Sequence, residues 1–282
     1  MNAMDWTIGL RRPEGFMFDL DGTLILSNRE LGQYQILPGA VELLCRLKER
    51  GIPFVALTNG SAYPPAEQAP RLRTLGLPIE DDELLTPSSV AADLMPRRGV
   101  KRALILGVPG VGQTLRDVGI ETLSPGDDGA HEVDAVYAGW HPDCDMEDIQ
   151  AACTAVLNGA DFYVASDVPF FATSAGKAFG YSCAIVGAVQ RVTGAPVTLT
   201  GKPSLHALRL ISRRLGVPMR RIAVVGDDPY VEMLMARRGN AIGIGVTSGV
   251  TKADEWKAQP ATRRPHGIVS GLGDLLTSSL LA

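Results

Sequence analysis

The chain has 282 residues, 45% hydrophobic and 21% charged, with 27 Lys and Arg against 31 Asp and Glu and a formal net charge of −4. That is ordinary globular composition in a chain longer than a typical domain of ~100–150 residues, so a large core carrying an insertion, or two domains, is expected. No basic stripe speaks for nucleic acid, and no apolar run approaches the ~18 residues that suggest a membrane span.

In chain order, Arg11-Arg12 precedes an apolar stretch that Glu14 interrupts, which does not read as a secretion signal. Residues 15–18 then read as a short buried strand that delivers Asp19 at its carboxyl end, the edge where open α/β sheets bind ligands. Asp21 follows one residue on, before the turn residue Gly22. Two carboxylates so spaced can hold a hard cation and leave one oxygen free to attack or to transfer a proton. A calcium loop counted from Asp19 fails at its sixth position, where Leu24 stands in place of glycine. A simple Asp-Gly turn stays open on this motif alone.

Residues 38–50 have helical spacing at Val41, Leu44 and Leu47, stopped by Gly51 and Pro53, and residues 52–57 form the next strand, ending in Thr58-Asn59-Gly60-Ser61. Further strands are expected at 102–108, 133–139 and 161–165. The segment 104–114 is close to a phosphate-binding loop, with Gly107, Gly112 and Thr114 correctly spaced, but Gln113 replaces the essential lysine. Residues 197–203 supply Lys202 ahead of a helix with Leu205, Leu208 and Ile211 at intervals of three, on which His206 reads as an ordinary helix residue. Residues 221–225 are another strand, leading to Gly226, Asp227 and Asp228. Cys45, Cys144, Cys153 and Cys183 are scattered without a Cys-x-x-Cys and read as reduced thiols, which fits a cytoplasmic protein. Strands alternate with helices throughout, as in a mostly parallel sheet.

The run Asp19-Leu-Asp-Gly-Thr23, the hydroxyl of Thr58 after a strand, Lys202, and Asp227 after a strand resemble, in order, the four motifs of the haloacid dehalogenase (HAD) superfamily. The long interval between Thr58 and Lys202, with its own strands, together with Thr86-Pro-Ser-Ser89, residues 136–139, 160–167 and 264–270, resembles the NagD-like branch (subfamily IIA). The resemblance implies an α/β fold with a Rossmann-like parallel-sheet core domain at residues 1–84 and 197–282, and an inserted α/β cap domain at 85–196. It implies a Mg2+-dependent phosphatase acting on a small phosphomonoester through an aspartyl phosphate, with Asp19 as nucleophile and Asp21 as general acid and base. Thr58, Asn59 and Lys202 would bind phosphate. Asp19, the backbone carbonyl of Asp21, and Asp227 would hold the metal, with Asp228 and Glu232 behind them. Glu232 departs from the Asp more often found five residues after Asp227. Asp21 separates this chain from dehalogenases, which lack an acid there, and from transport ATPases, which carry Thr. A phosphomutase or a catalytically silent binding protein of the same fold is the alternative. The partner implied is a small phosphorylated metabolite, with no nucleic acid and no membrane, and caps in this branch often pair into homodimers. Phe170 and Phe171, read as a loop after the strand 161–165, are the candidates for substrate choice.

Overall fold

The computed structural model describes residues 12–28, 33–173, 176–278 and 280, with the side chains of 27, 28, 33 and 171–178 outside that description. Arg11 and the Phe171 side chain therefore lie outside the described residues. The rest forms two parallel sheets and two antiparallel hairpins.

The larger sheet has six strands in the order Gly267–Val269, Ile242–Val246, Ile222–Gly226, Gly15–Asp19, Phe54–Leu57 and Leu84–Leu85, every neighbouring pair parallel. Its central strands are apolar throughout because both faces are covered. Phe16, Phe18, Phe54, Ala56, Ala223 and Val225 join one core cluster, while Met17, Val55, Leu57, Ile222 and Val224 join a second on the opposite face. Residues two apart share a face, so this division follows directly from the pleat. Each Phe or Leu buried in these layers contributes about 1.5–3 kcal/mol of hydrophobic stabilisation.

The second sheet has five parallel strands in the order Val197–Leu199, Asp161–Val164, Ala135–Ala138, Arg102–Leu106 and Glu121–Leu123. It is sandwiched in the same way: Leu104, Val136 and Phe162 point to one cluster, and Ala103, Ala135 and Tyr163 to the other. The near-phosphate-loop segment is the turn from Arg102–Leu106 into the helix Pro109–Asp117, where Gln113 is spent on Arg116 and Asp117.

Sheet membership differs at both ends from limits of 85 and 196 for the second unit. Leu85 pairs with Leu57 in the larger sheet, and Val197–Leu199 pairs with Phe162–Val164 in the smaller one. The helix Pro87–Leu94 packs against both Pro109–Asp117 and Leu205–Leu215, so its Val90 serves one core and its Ala91 the other. A shared helix leaves no composition break for a sequence reading to detect.

One hairpin, Ile25–Asn28 with Gln33–Ile36, follows the Asp19–Asp21 turn, and the other, Phe170–Thr173 with Gly176–Phe179, follows the smaller sheet's Asp161–Val164 strand. Phe170 and Phe171 thus belong to a strand, not to a loop. Two consecutive aromatics suit the pairing of a hairpin, whose second strand lies past the window that suggested a loop. The two hairpins touch.

Candidate active site

The strands Gly15–Asp19, Phe54–Leu57 and Ile222–Gly226 run parallel, so the residues at their carboxyl ends, Asp19, Thr58 and Asp227, emerge side by side. They open onto a cavity of about 420 Å³, a size suited to a small organic ligand. Asp21, Asn59, Lys202, Asp228, Glu232 and Phe170 line the same cavity. Every candidate site residue with a described side chain is therefore brought to one place.

Lys202 is its electrostatic centre. The side chain is 2% exposed, and its Nζ is ion-paired with Asp19 Oδ1 and, at 2.8 Å, with Glu232 Oε1. Burial works against the ammonium, yet the two carboxylates outweigh it and hold the Lys202 pKa above the ordinary lysine value. The main chain of Lys202 is anchored by Asn59, whose Oδ1 accepts from the Lys202 N–H at 2.8 Å and whose Nδ2 donates to the Lys202 carbonyl at 3.0 Å. The Asn59 side chain, expected to bind phosphate, is thus engaged on both of its ends with the residue that carries the cation. A single carboxamide matches the N–H and the C=O of one residue, which is why an Asn serves here.

Glu232 was expected behind a metal. Its Oε1 faces Lys202 and its Oε2 accepts the Asp228 N–H at 3.2 Å, so both oxygens have partners within the protein. The π-helical turn Pro229–Met233 swings it inward, against Gly226, where a Cβ would collide with the Glu232 side chain. Gly226 is a glycine for that reason.

Asp19 Oδ2 accepts from Thr23 Oγ1 at 3.3 Å, and the Asp227 carboxylate accepts the Val250 N–H at 2.8 Å. Gly22, with φ of 91°, lets the turn after Asp21 approach the Asp227 carboxylate more closely than a Cβ would permit. Thr58 Oγ1 accepts from the Gly60 N–H at 2.9 Å, which orients the hydroxyl at the strand end.

These carboxylates are crowded. Burial first, then Glu232 and Asp21, push Asp19 up to about 7 despite Lys202. Burial, then Asp19 and Glu232, raise Asp227 well above the carboxylate range, and burial raises Asp228 and Glu232 as well. Among the described residues, Asp21 Oδ1 is buried without a hydrogen-bond partner. The mutually repulsive carboxylates of Asp19 and Asp227, with the backbone carbonyl of Asp21, make an all-oxygen donor set that fits a hard divalent cation and leaves the Asp21 carboxyl free for proton transfer.

The opposite wall comes from the smaller sheet's side. Trp140 and Tyr181 meet edge to face at 4.6 Å between ring centroids, Tyr181 meets Phe179 at 5.8 Å, and Phe179 meets Phe170 at 6.5 Å. Phe170 is 53% exposed and lines the cavity, so it is not a core residue. Trp140, Tyr181 and the Ser248–Val250 turn also line the cavity and are not among the site residues expected from the sequence. Trp140 lies two residues past the strand Ala135–Ala138, and Ser248 two residues past Ile242–Val246, so chain position alone is the available signal. The Trp140 N–H donates to Ser61 Oγ at 2.9 Å, tying this wall to the turn after Thr58.

Two family models match the chain: a haloacid dehalogenase-like hydrolase model over residues 16–121 and a HAD-hydrolase-like model over residues 199–275, together more than half its length. The ribonucleotide monophosphatase NagD of Escherichia coli K12 is 24% identical over 268 residues, covering 91% of this chain and 96% of that protein. The crystal structure of a 4-nitrophenylphosphatase from Thermotoga maritima superposes with a TM-score of 0.83 at 26% identity, covering 95% of this chain and 97% of that one. A glycerol phosphate phosphatase from Mycobacterium tuberculosis, solved with magnesium, gives a TM-score of 0.81 at 25% identity over 94% of this chain and 76% of that one. With the parallel sheets and the motif residues in one cavity, these matches make the chain a member of the haloacid dehalogenase-like hydrolases, in the NagD-like branch.

Proposed function

We propose that the protein hydrolyses a small phosphomonoester with the help of Mg2+, through an aspartyl phosphate on Asp19. Membership of the family makes the chain a phosphoric monoester hydrolase; the metal, the intermediate and the residue roles are the finer reading. The observation that carries it is the buried Asp19 carboxylate, held between Lys202 and Thr23 in a cavity it shares with Asp21 and Asp227.

A phosphate dianion repels an anionic nucleophile, so positive charge must gather around it first. Lys202 supplies one such charge from the chain, and the Thr58 hydroxyl a donor. The carboxylates of Asp19 and Asp227 and the backbone carbonyl of Asp21 would hold Mg2+, which would neutralise the carboxylates and the phosphoryl oxygens. An Asp19 oxygen attacks phosphorus, the ester P–O bond breaks, and Asp21 gives its proton to the departing alkoxide. Asp21 then takes a proton from water as the water attacks phosphorus, which releases inorganic phosphate and restores Asp19. Asn59 and Glu232 position Lys202 from its main-chain and side-chain ends. The aromatic wall of Trp140, Tyr181 and Phe170 would cover the leaving group and exclude water.

The test is phosphate release from a panel of phosphorylated metabolites and an aryl phosphate, with and without Mg2+. Magnesium-dependent release, lost in Asp19→Asn, is the expected result. No release from any member would leave the silent-relative alternative, and transfer back to substrate without free phosphate would mean a mutase.

A further inference from the structure

We propose that His141, Cys144 and Asp148 form a zinc site outside the catalytic cavity. One ligand atom from each of the three side chains lies within 4.8 Å of the other two. His141 Nε2 is 3.0 Å from Asp148 Oδ2, and each of these side chains is 18% exposed. None of the three lines the cavity, and none has a part in the proposed hydrolysis.

The donors are set by local structure, not by chance meeting on a surface. Cys144 N–H donates to the His141 carbonyl at 3.4 Å, which closes a turn between the two residues. Asp145 caps the helix Met146–Leu157, its Oδ1 accepting from the Asp148 N–H at 3.0 Å while Asp148 Oδ2 accepts the Asp145 N–H at 3.1 Å. One turn and one capping box therefore fix the backbone from which a nitrogen, a sulfur and an oxygen come within 4.8 Å of one another.

Ligands around a tetrahedral zinc lie roughly 3.3–3.8 Å apart, given bonds of about 2.0–2.3 Å. The nitrogen and oxygen stand 3.0 Å apart and would part slightly, while no pair of the three donors exceeds 4.8 Å, so zinc binding requires side-chain rotation but no backbone rearrangement on that scale. Magnesium and calcium take oxygen donors alone, whereas a mixed nitrogen, sulfur and oxygen set matches zinc. The thiolate is the binding form, so Cys144 loses one proton to solvent as the ion binds. Three protein donors leave a fourth position for water. The site lies next to Trp140, whose carbonyl accepts the Val108 N–H at 2.9 Å and whose own N–H reaches Ser61. An ion there would stiffen the loop that carries the cavity's tryptophan.

The whole protein, stripped with a chelator and then saturated with Mg2+, would be titrated with Co2+ and afterwards with Zn2+. A thiolate-to-cobalt charge-transfer band should grow to one equivalent and be abolished by zinc, since the catalytic carboxylates cannot produce such a band. Cys144→Ser should remove it, while Cys45→Ser, Cys153→Ser and Cys183→Ser should keep it. His141→Gln, which leaves the capping box intact, should weaken zinc by about 100-fold or more, beyond what loss of an outer partner of a metal ligand costs. Circular dichroism of each variant confirms folding. Absence of the band, its survival in Cys144→Ser, or its loss in any of the other cysteine variants would overturn the proposal.

Discussion

The two walls of the cavity are built on opposite terms. On the side of the larger sheet, Asp19, Lys202, Asp227 and Glu232 are buried, and each charged group is fixed by another or by a backbone donor. On the side of the smaller sheet, Trp140, Tyr181 and Phe170 present ring faces and edges, with Phe170 half exposed on a hairpin. Charged groups taken out of water hold their positions because every alternative leaves them unpaired. Aromatic rings on a hairpin can be exchanged at small cost. Chemistry should therefore depend steeply on the first wall and substrate preference shallowly on the second.

The sharpest way to break that contrast is Asp19→Asn, which removes the nucleophile and should lower phosphate release by roughly 10⁴-fold or more with folding intact. Near-normal turnover would be falsifying for the whole site. Asp21→Asn should cost ~10²–10⁴, the usual worth of a general acid and base, with the larger loss for alkyl esters that need leaving-group protonation.

Next come the residues around the lysine. Glu232→Gln removes one of two charged partners of Lys202, a bond worth about 1.5–3 kcal/mol, so kcat/KM should fall roughly 10- to 150-fold. Because Glu232 faces Lys202, the Mg2+ concentration for half-activation should hardly change, whereas Asp227→Asn should raise it severely. A magnesium titration of both variants decides the matter: a larger shift for Glu232→Gln would return that residue to the metal.

On the aromatic wall, Phe170→Ala should change the ratio of kcat/KM between an aryl phosphate and a sugar phosphate by about 2- to 12-fold, corresponding to ~0.5–1.5 kcal/mol for an aromatic contact. Equal losses on both substrates, or an earlier melt, would mean that the ring serves the fold and not the substrate.

The smallest effect concerns stability. Asp19 is raised to about 7 and Asp227 is raised too, so the metal-free folded protein keeps protons that the unfolded chain has already lost. Its stability should be highest below the ordinary carboxylate pKa near 3.8 as far as these groups are concerned, and should decline as pH rises through about 7. Magnesium, by compensating the ionised carboxylates, should raise the Tm more at a pH of about 8 than at about 5. A pH-independent shift would argue against these carboxylates as the metal ligands.

Much of this was legible in the chain. The apolar strand before Asp19, the strand ends at Thr58 and Asp227, and the helix after Lys202 are local patterns, and local backbone preference with burial on both sheet faces decides them. Their order along the chain was enough to gather them into one site. The sequence could not assign Asn59 and Glu232, because their partners depend on contacts 143 and 30 residues away that no spacing rule encodes. Nor could it place Val197–Leu199 in the smaller sheet, or show that Phe170 belongs to a hairpin edge facing the cavity, since the same apolar pattern suits either sheet and either a strand or a loop. Residue order and local pattern are enough to say which side chains are chemically capable and on which strand ends they sit. Tertiary structure alone decided which of them touch, because burial forces each charge to find a partner and the partner is whatever the packing of distant strands brings within reach.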